Sequence, residues 1–322
     1  MQIIRDIRIE SHQLGNKVFD KPKDIVAWMG AIQAQDYNMS KLAIFNRLKG
    51  NSMLDIELAF KNGEILRTHV MRPTWHLVNS EDIRWMLQLS KTRLKSVGKE
   101  RDRYLDITEE LYTKTNNLIF RILEGNKHLT RTEISLELSK AGIVVNNSRM
   151  IHFMMRAETE GIVCSGIDNG KKQTYTLLDE RVHKTKEFNK EEALTKLAIN
   201  YFRSHSPASL IDFCWWSGLS VKEAREATGS IETELISEKF LSKKLLIHKS
   251  YNEKILQKDS MLFLPAFDEY LIAYKDRTTV IDLDHQSKVF SKNGIFHPII
   301  VKNGKIIGVW RNSGKTVEKL FF

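Results

Sequence analysis

The sequence predicts an α+β protein of tandem winged-helix units, each a helix-turn-helix followed by a β-wing, with a C-terminal β-barrel-like domain. Three observations carry that expectation. Segments of helical periodicity are followed repeatedly by two short β-rich runs. Capping residues and glycines fall at the ends of the helical segments. Beyond Ser260 the pattern turns to strands.

Taken in order, a helix opens near Pro22 and Asp24 and runs from Lys23 to Ile32, into the stretch Ile32-Gln33-Ala34-Gln35-Asp36-Tyr37. A second is expected from Ser40 to Leu48. A third is capped by Ser52, carries Leu54, Leu58 and Phe60, and stops at Gly63. Two β-like runs, from Ile65 to Thr68 and from Thr74 to Val78, are joined by Met71-Arg72-Pro73 and make the first wing. The helix expected from Ser80 to Val97 has a basic face of Arg84, Lys91, Arg93, Lys95 and Lys99, a run that ordinarily marks a solvated surface. Another helix spans Thr108 to Leu123.

The order then repeats. Thr130-Arg131-Thr132-Glu133 is a capping-box start for a helix to Ala141, ended by Gly142, and Ser148 to Glu160 is the next, ended by Gly161. Ile162-Val163-Cys164 and the run from Gln173 to Leu177 flank the turn Asp168-Asn169-Gly170, whose tip carries Lys171 and Lys172. A third cycle begins with a helix from Lys190 to Phe202. Ser206-Pro207 opens a helix through Trp215, Ser220 opens another, and a strand runs from Lys244 to Ile247. The adjacent Trp215 and Trp216 could stack on bases, but such a pair on a short helix ordinarily belongs to the core. At the end, Met261 to Leu264 is an apolar run, and Ile299-Ile300-Val301 and Ile306 to Trp310 flank the turn Asn303-Gly304, a strong hairpin signal. The expected division is 1–105 for the first winged-helix unit, 106–185 for the second, 186–258 for the third and 259–322 for the β-domain.

A net charge of +10 bears on partners rather than on fold, and nucleic acid is the common partner of such a chain because Lys and Arg displace the counterions of phosphates. No run reaches the roughly 18 to 20 apolar residues of a membrane span. The start, Met1-Gln2-Ile3-Ile4-Arg5-Asp6, lacks the layout of a secretory signal, so the expectation is a cytoplasmic protein with no membrane contact. Cys164 and Cys214 lie far apart without metal spacing, and the ten histidines show none either, so no metal site is expected. The absence of GxGxxG, Walker, HExxH and GxSxG patterns removes the common nucleotide, metalloprotease and hydrolase signatures, and no cofactor is expected. What remains is a DNA-binding chain, either a regulator or an enzyme acting on DNA.

Amides do not titrate, so Gln33 and Gln35 cannot move protons, but they can hold a water or line a base. On a helix, residues two apart point about 200° from each other, so the two reach one point only if the helix loosens there.

The stretch AIQAQDYNMSKLAIFNRL from Ala31 to Leu48 and the run from Arg67 to Val78 resemble the bacterial AlkZ-like DNA glycosylases. So do LPAFDEYLIAYKDR from Leu264 to Arg277 and GIFHPIIVKNGKIIGVWR from Gly294 to Arg311. The blocks stand in the family's order over nearly the whole chain. The resemblance implies tandem winged helices and a C-terminal β-barrel around a concave DNA-binding surface, and excision of N7-alkylated guanines with unhooking of interstrand crosslinks. It places the family's catalytic motif on Gln33 and Gln35, in the two-glutamine branch, and implies further residues beyond Phe322.

The implied partner is double-stranded DNA with alkylated or crosslinked bases, bound by a monomer. Arg67 and Arg72, beside the first hairpin turn, and Lys171 and Lys172 are candidates for phosphate contacts. Lys288, Lys292 and His297 fall, by the resemblance, where a hairpin could enter the minor groove. His69 and His76 read as structural histidines, and Asp268 and Glu269 as partners of Lys275 or Arg277.

Overall fold

A computed structural model describes residues 1–50, 52–240, 243–251, 261–314 and 316–322. The expected boundary between 258 and 259 lies outside the described residues. The chain forms two compact units, Met1–Ile56 with Lys190–Phe322, and Glu57–Asn189.

The first unit starts with a helix that the sequence reading did not mark, α1 (Gln2–Ser11), which buries Ile4, Ile7 and Ile9. Next come α2 (Pro22–Met29), the short extended stretch β1 (Ile32–Gln33) and α3 (Tyr37–Phe45). The helix expected from Lys23 to Ile32 therefore ends early, at Met29. Pro22 opens α2, and Gly30 closes it at φ 74, a conformation that L side chains resist. Asp36 then restarts helical structure by accepting the Met39 N–H at 3.0 Å. The helix α4 (Met53–Lys61) carries the chain out of this unit, with Ser52 Oγ accepting the Asp55 N–H at 3.1 Å.

The second unit opens with an antiparallel hairpin, β2 (Ile65–His69) and β3 (Trp75–Asn79), in the register Ile65↔Asn79 to His69↔Trp75. It continues through α5 (Ile83–Tyr104), α6 (Glu109–Leu123), β4 (Leu129–Thr130), α7 (Arg131–Lys140), α8 (Asn147–Thr159), β5 (Val163–Ser165), β6 (Thr174–Leu177) and α9 (Leu178–Arg181). Thr130 and Glu133 make the capping box expected of them. The strands β4, β6 and β5 form one antiparallel sheet in that order. It covers a core that includes Ile119, Leu123, Ile134, Leu138, Phe153 and Val163. The helix α5 runs past the expected end at Val97, to Tyr104. The added turn is anchored at Asp102, which accepts the Tyr112 hydroxyl at 2.6 Å and lies 2.8 Å from His152 Nδ1. Those are long-range contacts that periodicity cannot reveal.

Back in the first unit, α10 (Lys190–His205), α11 (Leu210–Ser217) and α12 (Val221–Gly229) follow. Ser209, not Ser206-Pro207, opens α11, because Ser209 and Asp212 close a reciprocal capping box. The hairpin β7 (Leu235–Phe240) with β8 (Lys243–His248) comes next, and β7 escaped the sequence reading because its polar, exposed residues show no alternation.

The C-terminal part holds β9 (Met261–Leu264), the short helices α13 (Glu269–Ile272) and α14 (Gln286–Val289), and β10 (Ile299–Lys302), β11 (Lys305–Asn312) and β12 (Val317–Phe321). The expected β-barrel-like domain is not a barrel among the described residues. The strands form an open antiparallel sheet in the order β12-β11-β10-β9, with β12 exposed along its length at one edge. Asn303-Gly304 makes the expected two-residue turn, with φ 48 and 76. A Cβ on Gly304 would lie 2.5 Å from Arg5 Cβ, so α1 packs where only glycine leaves room. The sheet shares a core with α1 that includes Ile9, Leu264, Tyr270, Ile281, Ile299 and Val301. No described helix is long and apolar enough to cross a membrane.

Candidate active site

Gln33 and Gln35 stand on extended and bent backbone between the end of α2 and the cap of α3, with Gln33 buried and Gln35 exposed. Gln33 ends the extended stretch and Gln35 stands in the bend that follows, so the strand rule that residues two apart share a side does not reach Gln35. The loosening that the spacing required is a complete break in the helix.

The segment is seated on a buried polar network. The Gln33 backbone N–H donates to Glu269 Oε1 at 2.7 Å, and the Trp216 indole N–H donates to Glu269 Oε2 at 3.1 Å. Glu269 and Trp216 are 1% and 0% exposed, so water does not compete for the carboxylate. His205 Nε2 lies 3.7 Å from Oε2. The Ser204 hydroxyl donates to the Asn200 carbonyl, so its oxygen accepts from His205 Nδ1 at 2.7 Å. That leaves Nε2 as the acceptor of a neutral ring. Burial, first of all, pulls the His205 pKa below its usual value, against the pull of Glu269.

Next to this carboxylate is a second one. Asp268 receives both ends of the Arg47 guanidinium, each at 2.8 Å, and both groups are buried. The expected partners Lys275 and Arg277 are engaged elsewhere. Lys275 stands over the Trp215 ring, and Arg277 Nε donates to the Leu271 carbonyl. The reason is topological: the turn after α3 brings Arg47 to Asp268 across a large sequence separation, and no local pattern announces it. His12 Nε2 is 2.9 Å from the Tyr274 hydroxyl, and burial with the nearby His205, Arg47 and Arg8 holds His12 well below the ordinary histidine range. Trp215 and Trp216 are both structural, since the Trp215 indole N–H donates to the Ile272 carbonyl at 2.9 Å.

The comparisons with known proteins can now be set beside this geometry. The family model described as DNA glycosylase AlkZ-like matches residues 26–318. The chain belongs to the AlkZ-like DNA glycosylases, hydrolases of N-glycosidic bonds. An interstrand DNA cross-link repair glycosylase of Streptomyces sahachiroi is 22% identical over 94% of this chain and 85% of its own length. The solved structure of Streptomyces sahachiroi DNA glycosylase AlkZ matches with a TM-score of 0.83 at 21% identity, covering 100% of this chain and 90% of that one. At that identity the likeness speaks for the fold.

The remaining candidates of this AlkZ-like chain fall into two groups, one in each unit. In the Glu57–Asn189 unit, Arg67 is buried, its Nη1 donates to Gln173 Oε1 at 2.7 Å, and its guanidinium lies over the Trp75 ring at 4.1 Å. Arg72 is half-buried beside the tight turn at Met71, and Lys171 and Lys172 are exposed. The turn itself is Gly170-Lys171, closed by Asn169 and Lys172 through backbone hydrogen bonds of 2.9 and 3.1 Å. In the other unit, Lys288 is exposed in the last turn of α14, and on the connection from α14 to β10 Lys292 is exposed and His297 half-buried. That connection is closed by a β-bridge between Phe290 and Phe296 and by the His297 N–H donating to the Val289 carbonyl.

His69 is paired with the buried Glu158, and His76 Nδ1 stands 2.9 Å from the Thr74 carbonyl, as structural histidines do. The sequence gives no sign of the roles of Arg47 and His205 or of the placement of Glu269 under Gln33 and Trp216. The available signal is that Arg47, Asp268 and Glu269 fall in blocks that resemble the family.

Proposed function

We propose that this chain is a monofunctional DNA glycosylase that removes alkylated purines, N7-alkylguanines among them, and acts on interstrand crosslinks. The observation that carries the reading is the seat of the Gln33-Ala34-Gln35 segment, held between two ordered helices with its peptide bonded to a buried carboxylate. The crosslink substrate is suggested by the Streptomyces sahachiroi relative, an interstrand DNA cross-link repair glycosylase.

The chemistry asks for little acid catalysis. A guanine alkylated at N7 carries a positive charge and departs as a neutral base when the glycosidic bond breaks, so no side chain need protonate it. Water adds to the anomeric carbon and loses its proton to solvent, leaving an abasic site. Catalysis then consists of placing that water and supporting the developing oxocarbenium. The carbonyl oxygens of Gln33 and Gln35 can do both. A crosslinked base cannot swing far from the duplex, which favours a shallow site of this kind over a deep pocket.

The element order α6, β4, α7, α8, β5, β6 supports a winged helix in the second unit, with Lys171 and Lys172 on its wing. Arg67, Arg72, Lys171, Lys172, Lys288, Lys292 and His297 are the proposed DNA contacts, and the +10 net charge supports them.

The test is base release from duplex DNA carrying N7-methylguanine and, separately, an N7-linked interstrand crosslink. Wild type should form abasic sites on the first and unhook the second, and Gln33→Ala with Gln35→Ala should lose about 10²- to 10³-fold in rate. A wild-type protein that binds both duplexes and releases neither base would replace the enzyme reading with that of a DNA-binding protein without this activity.

A further inference from the structure

We infer that Glu269 is a positioning residue for this site: its carboxylate fixes the peptide that carries Gln33, and Trp216 fixes the carboxylate. The inference rests on the proposed role of Gln33 and Gln35, and assigns the residue that holds their segment in working geometry.

The argument starts from hydrogen-bond capacity. An ionised carboxylate is a pure acceptor, and this one is buried with one N–H on each oxygen: the Gln33 peptide at 2.7 Å on Oε1 and the Trp216 indole at 3.1 Å on Oε2. While His205 is neutral, its Nε2 offers no proton, so at neutral pH these two donors do the holding. Both are anchored in turn. Trp216 is fully buried in α11, 5.0 Å from the Tyr201 ring and 5.3 Å from the His205 ring. The neighbouring Asp268 is locked by Arg47, so the backbone at Glu269 has little freedom.

The entry to the segment is packed on the same tryptophan. A Cβ on Gly30 would lie 3.4 Å from Trp216 Cη2 and 3.1 Å from Asn200 Cβ. Thus Trp216 bears on the segment twice, through the turn at Gly30 and through Glu269. A single peptide N–H bonded to a buried charge sets where the Gln33 side chain leaves the backbone. A displacement on the order of 1 Å at a reacting group can lower a rate about 10²-fold.

The same capacity argument supplies the test. In Glu269→Gln the amide has one accepting oxygen and one donating NH2, so either the Gln33 N–H or the Trp216 N–H must face a donor. Trp216→Phe removes the indole donor, and in the double variant the amide oxygen can serve Gln33 alone. Single-turnover excision and DNA affinity would be measured for the full chain with N7-methylguanine duplex, beside thermal melts and the Gln33→Ala control. Glu269→Gln should lower the excision rate about 10- to 100-fold with affinity held within about 2-fold. Glu269→Gln with Trp216→Phe should regain most of that rate, and Trp216→Phe alone should lose less than Glu269→Gln, because the Gln33 N–H keeps its acceptor while the carboxylate loses its second hold.

A role only in stability predicts the reverse pattern, with melts that fall in every variant and no recovery of rate in the double one. A folded Glu269→Gln protein that excises like wild type, while Gln33→Ala does not, overturns the positioning role and leaves the site reading intact. Wild-type excision by Gln33→Ala removes the site reading and this inference with it. Where Glu269→Gln alone does not fold, a folded double variant decides: excision near the wild-type rate supports the role, and DNA binding without excision overturns it.

Discussion

Each unit buries a carboxylate against a positively charged or chargeable partner, and the partners differ in kind. In the first unit Asp268 faces Arg47 through two bonds of 2.8 Å, and a guanidinium stays charged over the whole range in which proteins are folded. In the second, Glu158 faces His69, an imidazole rather than a guanidinium. Burial raises the Glu158 carboxyl above its ordinary value, while His69 and Arg67 oppose that shift. The difference teaches where rigidity is placed. The permanent pair lies one residue from Glu269, which holds the Gln33 peptide; the titratable pair lies at the end of β2, where His69 also packs on the Trp75 ring at 4.0 Å.

The strongest way to break the comparison is to remove one half of the permanent pair. Arg47→Met leaves Asp268 charged and buried and should cost about 3–5 kcal/mol in urea denaturation. The corresponding change in the second unit, Glu158→Gln, keeps size and shape and should cost about 1–3 kcal/mol. Should the two costs prove equal, the distinction between permanent and titratable pairs carries no energetic weight.

Acid titration sharpens the contrast further. His12 in the first unit and His76 in the second both have folded pKa values well below 6.5, with burial as the largest cause in each. The unfolded chain therefore takes up a proton at 6.5 that the folded chain still refuses. Their contribution to stability is full above pH 6.5 and is lost as pH falls below it, at up to about 1.4 kcal/mol per pH unit for each histidine. Melting experiments from pH 7 downward should show that slope, and His12→Gln and His76→Gln should each flatten it. An unchanged slope in both variants would point to other groups.

The smallest effect on folding is expected at the exposed turn. Lys171→Ala with Lys172→Ala should shift stability by less than about 0.5 kcal/mol. If both lysines meet phosphates, the slope of log affinity against log salt on duplex DNA should become shallower by about 2. An unaltered slope would take these two residues off the interface.

Local chemistry accounts for what was legible in the sequence. Thr130 with Glu133, Ser220 with Glu223 and the Asn303-Gly304 turn were readable because their hydrogen bonds close within three residues and depend on no distant partner. The break in the helix at Gly30 was misread even though the glycine was in plain view. An apolar run continues through Ala31 and Ile32, and burial of both residues serves an extended segment as well as a helix. The end of α5 lies beyond the expected Val97 because Tyr112 and His152, outside the helix, hold Asp102.

By itself, then, the sequence determined the capped helices, the tight turns, the positive charge and the presence of two amides at Gln33 and Gln35. It also named the family, because its blocks match in order over most of the chain. Only the tertiary structure decided that those amides stand on an extended stretch and the bend after it, that the C-terminal strands stay open among the described residues, and that Asp268 and Glu269 answer to Arg47, Trp216 and the Gln33 peptide. The physical reason is range. Caps and turns are settled by neighbours within a few residues, whereas a buried charge is settled by whichever distant donors the fold brings to it, and those partners leave no periodic trace in the chain.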